Sequence, residues 1–265
     1  MPPRDPVARQ NLLVESLVRR GFMSVADIAE ETGVSEITIR RDLTELERSG
    51  TIRRTHGGAL IAKNGVSNVY DIREPTFEAR RRRNSDAKIR IARTAAQFVK
   101  PGHTIALDTG STTLELTRFL GDIPDLRIIT NNTRAASLIA ETSHPVYLPG
   151  GRLRGRELSI YGSSAAAFVA SYHYDIVFLG LSGITDQGLF DYSPEDSEIK
   201  RAFIQRSDQV IALSDASKFN RQAMVRIAEL KEIHILIVDT MPPDALREAI
   251  ETAGPKIIIA ENLME

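Results

Sequence analysis

An α/β chain in two parts, a small helix-rich front and a larger body built on a mostly parallel sheet, is what the sequence predicts from three observations. Three closely spaced helical patterns and a strand-like tail fill the first 60 residues, whereas from Thr104 onward short apolar runs alternate with helical stretches. The charge divides near the same place: residues 1–84 carry three more basic than acidic side chains and the remainder four fewer. The length of 265 residues also exceeds the roughly 100–200 residues of one ordinary domain.

Hydrophobic content of 42% and charged content of 26% are those of a globular chain. With no cysteine, disulfides, cysteine zinc sites and thiol catalysis are excluded together, and the five histidines are scattered. No metal and no cofactor are expected. The start MPPRDPVARQ lacks the apolar core of a signal peptide, and no run approaches the ~18–20 apolar residues of a membrane span, so the expectation is a cytoplasmic protein without membrane contact.

In the front part, Leu13, Val14, Leu17 and Val18 form one helical stripe within Val7–Arg20, which Gly21 ends. Ser24 can cap a second helix, Val25–Thr32. Gly33 and Val34 then turn, and Ser35 caps a third helix, Glu36–Ser49. At about 100° per residue, Ile39, Leu43 and Leu46 face the core and Ile37, Arg41, Thr44 and Arg48 face outward, with Thr38 and Arg40 on the flanks. Arginine bonds bidentately to guanine or phosphate and an apolar side chain touches a thymine methyl, so this face has the chemistry of a major-groove reader; the alternative is a solvated charged helix. The helix–turn–helix order favours the reader, and Ser35, Glu36, Ile37, Thr38, Arg40, Arg41 and Thr44 are its candidate residues. The following TIRRTHGGAL, Thr51–Leu60, has the pattern of a β-hairpin wing, along which Arg53, Arg54 and His56 can meet DNA phosphates.

VSEITIRRDLTELERSGTIRRTHGGAL, Val34–Leu60, resembles the winged helix-turn-helix signature of the DeoR family of bacterial transcription regulators, densely and without a gap. Asp42, inside that motif, is expected to pair with an arginine of the first helix or the wing rather than touch anionic DNA. The DNA-binding domain is placed at 1–60 and a linker at 61–85, where apolar periodicity is weak. The run Arg80-Arg81-Arg82-Arg83 is read as surface or salt-bridge charge, with phosphate contact as the alternative.

The body, 86–265, opens with a helix near Asp86–Val99. Strand-like runs follow at 104–108, 126–130, 145–149, 174–180, 209–215, 233–239 and 256–260. In parallel sheets ligands bind beyond the C-terminal strand ends, and the polar clusters DTGSTT (108–113), TNN (130–132), PGGRL (149–153), GLSG (180–183) and DASKF (215–219) all lie there. In the first, Gly110 permits a sharp turn, Ser111, Thr112 and Thr113 offer hydroxyls, and the N–H groups of the next helix point into the crevice. Such a turn favours phosphate, although serine and threonine also cap helices for structural reasons alone.

These clusters resemble the DeoR-family effector domain, which is similar in fold to ribose 5-phosphate isomerase, so the resemblance spans nearly the whole chain. It implies Asp108 and Gly110–Thr113 as a phosphate loop, Thr130 and Asn131 as a wall, Gly150 and Gly151 as a close backbone approach, Gly180 beside them, and Lys218 as a cationic contact. Glu198 and Lys200 in SEIKRAF are read equally as site or as helix surface, and Asp175 and Asp239 as structural. The isomerase resemblance would require carboxylates in a DGAD-type turn and a lysine-rich loop. The matching LGLS has none and GLFDYSPED offers no lysine, so aldose–ketose conversion is not expected. The expected function is a repressor of a carbohydrate-utilisation operon: a homo-oligomer, dimer or tetramer, that binds double-stranded operator DNA and is released by a phosphorylated sugar or related effector. A sugar-phosphate enzyme with a DNA-binding appendage, or a body serving only for oligomerisation, are the alternatives.

Overall fold

A computed structural model describes residues 9–10, 12–14, 16–17, 22–48, 52–55, 58–61, 69–70 and 74–261. The chain divides into two compact units, Met1–Tyr70 and Asp71–Glu265.

In the first unit residues 9–10, 12–14 and 16–17 are helical, and Leu13 and Leu17 are buried; Val18 and Gly21 lie outside the described residues. Strand β1 (Phe22–Ser24) leads into α1 (Val25–Thr32). Ser24 Oγ accepts from the Asp27 N–H at 3.0 Å while the Asp27 carboxylate accepts from the Ser24 N–H at 3.2 Å, a reciprocal cap that satisfies two orphan donors. Gly33 ends α1 at φ 66°, a left-handed position that costs a residue with a Cβ. Helix α2 (Glu36–Arg48) buries Ile39, Leu43 and Leu46 in one core with Leu13, Leu17, Met23, Val25, Ile28, Ile52 and Ala59. Asp42 is buried too, and Arg9 holds it with Nε to Oδ2 at 2.5 Å and Nη2 to Oδ1 at 3.0 Å, so the carboxylate is paired inside the fold as expected. Strands β2 (Ile52–Thr55) and β3 (Gly58–Ile61) pair antiparallel as the wing, and β3 also pairs with β1.

The second unit begins before the expected boundary. Residues 62–68 and 71–73 lie outside the described residues, but the linker expectation is corrected over 74–85. Helix α3 (Phe77–Arg82), capped by Thr76 Oγ1 on the Ala79 N–H at 3.3 Å, belongs to this unit, because Phe77 is buried in its core. The Arg134 guanidinium sits 4.0 Å from the Phe77 ring centroid, a cation–π contact that clamps the helix. Helix α4 (Ser85–Ala96) follows and packs Ile91, Ala92 and Ala95 inward.

Seven strands then form one parallel sheet: β4 (Thr104–Leu107), β5 (Arg127–Thr130), β6 (Val146–Tyr147), β9 (Tyr174–Gly180), β12 (Ser207–Ser214), β14 (Ile235–Val238) and β15 (Lys256–Ile259), in spatial order 15-14-12-9-4-5-6. Each matches one of the seven apolar runs. The sheet is buried on both faces, as parallel sheets are. Ile176 and Phe178 of β9 enter the core beneath α4, whereas Val177 and Leu179 enter the other, under the helix Pro194–Gln205 with Ile199 and Phe203. From β4 the chain proceeds to β5 and β6 on one side and returns to β9, β12, β14 and β15 on the other. The order therefore reverses between β4 and β9, and a crevice opens at their C-terminal ends. Asp175 and Asp239 are structural, accepting from the backbone N–H of Thr104 and Ala216 at 2.7 and 2.8 Å.

Two smaller sheets flank that crevice. Strands β7 (Arg152–Arg154) and β8 (Ser159–Tyr161) form a hairpin, and β10 (Gly183–Thr185), β11 (Gly188–Asp191) and β13 (Val225–Ala228) an antiparallel sheet. Among the described residues no helix is long and apolar enough to cross a membrane.

Candidate functional site

On the first unit, the outward face of α2 is as expected. Ile37 is 81% exposed, so its side chain is free to meet an apolar group such as a thymine methyl. Arg40, Arg41 and Thr44 are exposed beside it, with Ser35 and Glu36 at its start. Ser35 Oγ lies 3.0 Å from Thr38 Oγ1, and Arg40 pairs with Glu36 at 3.2 Å in an exposed i,i+4 arrangement that DNA can displace cheaply. Arg54 donates from Nη1 to Thr44 Oγ1 at 2.7 Å, which ties the wing to α2. Arg53 lies in β2 opposite Leu60, and His56 lies outside the described residues.

In the second unit a pocket occupies the crevice at the switch point. From β4 and the turn after it come Thr109, Gly110, Ser111 and Thr112; from the end of β9 come Gly180, Leu181 and Ser182. The turn begins α5 (Ser111–Leu116), whose cap position is Gly110 and carries no side-chain cap. Among the described residues the hydroxyls of Ser111 and Thr112 form no hydrogen bond, although both residues are only 7% exposed. Gly180 is needed here: a Cβ would stand 3.0 Å from Thr109 O and 3.4 Å from the Gly110 Cα.

Lys218 reaches the pocket from the turn after β12, and among the described residues its ammonium makes no hydrogen bond or ion pair. Burial pushes its pKa down to about 8, and the cations Arg221, Arg80 and Lys88 add to that against the pull of Asp215. At the pocket floor Lys200 is 1% exposed and faces Asp108 Oδ2, Asp191 Oδ2 at 3.2 Å and Gly180 O at 3.1 Å. Burial opposes its charge, but Asp108 and Asp191 outweigh burial and hold the ammonium above its usual pKa. Asp108 is pushed up to about 6 by complete burial, with Lys200 opposing.

Another part of the lining is a cage of charges. Arg80 of α3 donates from Nη1 to Glu74 at 2.7 Å and from Nη2 to Glu157; Arg154 of β7 donates from Nη1 to Asp196 at 2.6 Å and from Nη2 to Glu74. Burial pushes Glu74 above the usual carboxylate range, against the pull of Arg80. Glu74, Arg80, Glu157, Asp191, Asp196 and Lys200 all line the pocket. Carboxylates thus do reach this site, from segments other than the LGLS turn, but each is held by a cation or by backbone donors.

The expected site residues separate accordingly. Gly110, Ser111, Thr112, Gly180, Lys200 and Lys218 line the pocket, and Asp108 lies beneath it. Thr113 turns inward, its hydroxyl donating to Asp108 O at 2.8 Å. Thr130 donates to Leu107 O at 2.6 Å, and Asn131 joins Thr109 Oγ1 to Ile160 O at 3.3 Å each, so both brace the strand ends without lining the pocket. Gly151 is required by the chain itself, since a Cβ there would stand 2.6 Å from Tyr161 O, while a Cβ on Gly150 would meet open space. Glu198 is exposed and is corrected to helix surface. Residues not expected are Glu74, Arg80, Glu157, Asp191 and Asp196. An available signal was Asp196 and Lys200, four apart on one helix face.

Comparison with known proteins follows this division. Residues 9–64 match the model of the DeoR-like helix-turn-helix domain and residues 83–240 that of the DeoR C-terminal sensor domain. The glycerol-3-phosphate regulon repressor of Escherichia coli K12 is 32% identical, covering 91% of this chain and 94% of its own. The transcriptional repressor GlcR of Bacillus subtilis 168 is 31% identical, covering 94% and 95%. Among solved structures, ribose 5-phosphate isomerase A of Methanocaldococcus jannaschii is similar at 22% identity with a TM-score of 0.39, over 51% of this chain and 55% of that one.

Proposed function

The chain belongs to the DeoR family of transcriptional regulators, and from that membership we propose that its pocket takes a phosphorylated sugar or polyol whose binding releases operator DNA. It is a DNA-binding repressor with a sugar-phosphate sensor domain, a regulator and not an enzyme. What carries the assignment of the site is the anion end: an uncapped helix start, the hydroxyls of Ser111 and Thr112 and the Lys218 ammonium, none of them with a hydrogen-bond or ion-pair partner among the described residues, line one pocket at the switch point. The carboxylates of the cage suit hydroxyl donors, as a polyol chain requires. Thermal-shift screening with phosphorylated sugars and polyols tests this, because a ligand bound only by the native state raises its melting temperature. No shift from any of them would remove the assignment.

DNA reading is assigned to Ile37, Arg41 and the flanking residues of α2. Arg41→Ala is expected to weaken operator binding by about 1–3 kcal/mol with the fold intact, because the side chain is exposed opposite the buried Ile39 and Leu43. Unchanged affinity in a titration at fixed salt would take Arg41 out of the reading set. One such helix covers few base pairs, so the working form is a homo-oligomer on paired half-sites, which sedimentation with operator DNA checks.

Lys218 adds a pH dependence. A bound phosphate favours the charged ammonium, so the affinity it contributes is complete while the free protein holds Lys218 protonated. That affinity is then lost as pH rises through about 8. Calorimetry in buffers of different ionisation enthalpy should record proton uptake above that pH and none in Lys218→Met. Equal proton uptake in both proteins would assign the effect to another group.

A further inference from the structure

We propose that the effector's hydroxyl-bearing end, not its phosphate, carries the release signal, and that Glu74 and Arg80 are the residues that read it. The inference rests on the assignment of the pocket as the effector site. Its starting point is a placement: these two pocket residues stand on the segment that directly follows the DNA-binding unit, which ends at Tyr70. The anion end, by contrast, is built from the turn after β4 and the turn after β12, farther along the chain.

The wall on which Glu74 and Arg80 sit is closed by exchangeable bonds. Arg80 spans Glu74 and Glu157, and Arg154 spans Glu74 and Asp196, so Glu74 is shared by two guanidiniums. A diol presented to this cage donates to the carboxylates and accepts from the arginines, replacing ion pairs that hold the segment to the β7–β8 hairpin. Inorganic phosphate carries no carbon-bound diol to offer to that cage. The segment behind the cage is firmly seated: Phe77 is buried beneath Arg134, and the buried Lys88 ammonium donates to the carbonyl oxygens of Arg80 and Arg83 at the end of α3. Exchange at Glu74 and Arg80 is therefore felt by one packed unit rather than by a loose strand. The division also suits a sensor, since a repressor released by phosphate alone would answer to an anion present in every growth condition.

The test uses full-length protein, operator DNA, inorganic phosphate, and the phosphate esters glycerol 3-phosphate, glucitol 6-phosphate and glucose 6-phosphate. For the wild type, inorganic phosphate is expected to raise the melting temperature while shifting operator affinity less than about twofold, and at least one ester is expected to weaken operator binding by about tenfold or more. In Glu74→Gln and Arg80→Lys the affinity ratio of that ester to inorganic phosphate should fall by about tenfold and the ester's effect on operator binding should shrink with it. A merely structural role would lower the melting temperature and leave that ratio alone. Release by inorganic phosphate as strong as by the ester overturns the inference, as does a wild-type ratio in both variants. Absence of any wild-type response to all four probes overturns the effector assignment itself, and the inference with it.

Discussion

Lys200→Met should abolish the response to sugar phosphates and destabilise the second unit by about 3–5 kcal/mol at neutral pH. The ammonium is enclosed by Asp108, Asp191 and the carbonyl oxygens of Gly180 and Thr109. Its loss leaves two carboxylates facing each other at the pocket floor. Asp108 is already poorly satisfied: among the described residues its buried Oδ1 has no hydrogen-bond partner, and the Gly180 N–H, at 3.0 Å, is the one donor to Oδ2 besides Lys200. The pH profile gives the loss a signature. Asp108 titrates at about 6 in the fold, above its value in an unfolded chain. The stability it contributes is therefore full below about pH 4 and lost as pH rises through about 6. Without Lys200 nothing cationic pulls that pKa down, so the window extends upward and the variant should recover stability relative to wild type as the pH is lowered from about 8 to 5. Urea denaturation across that range measures it. Parallel profiles for the two proteins would mean that Asp108 is not held ionised by Lys200.

The sheet was legible and the charged wall was not, for reasons that lie in the residues. Runs such as YDIVFLG and QVIALSD have no polar alternation, because both faces of a parallel strand are covered, and the turns after them carry glycine and hydroxyl residues where the chain must bend. Each of these signals is local. The wall joins Arg80 to Glu157 and Glu74 to Arg154, 77 and 80 residues apart, and nothing near an arginine in the sequence marks which carboxylate it will meet. Four consecutive arginines look like solvated charge, and three of them are exposed; only Arg80 turns inward, on the same side of α3 as Phe77. SEIKRAF was decidable on geometry. Positions 198 and 200 differ by about 200° on a helix, so both could not face one pocket, and Lys200 shares its face with Ile204 and Asp196.

The turn at Ser111 gives the most direct test of the anion end. Ser111 lines the pocket at the first position of α5, its hydroxyl has no partner among the described residues, and the helix start has no side-chain cap. Ser111→Glu sets a carboxylate where the phosphate is expected to sit. At a helix start it is well placed to take the free N–H groups itself, so the fold should tolerate it. A phosphate must then displace that charge or approach it, and like charges brought together cost several kcal/mol, more than about a hundredfold in affinity. The residues to which DNA reading is assigned lie in the other unit. The expected protein binds its operator with wild-type affinity and is no longer released by any sugar phosphate, an uninducible repressor. Thr113 would be a poor choice for the same experiment, because its inward hydroxyl braces the turn against Asp108 O and Gly110 O, and any loss there could be a folding loss. Operator titrations with and without the responding phosphate ester, for wild type, Ser111→Glu and the milder Ser111→Ala, separate the outcomes. Retained release in Ser111→Glu would make this turn a helix start and nothing more, and the effector's phosphate would have to be sought nearer Lys218.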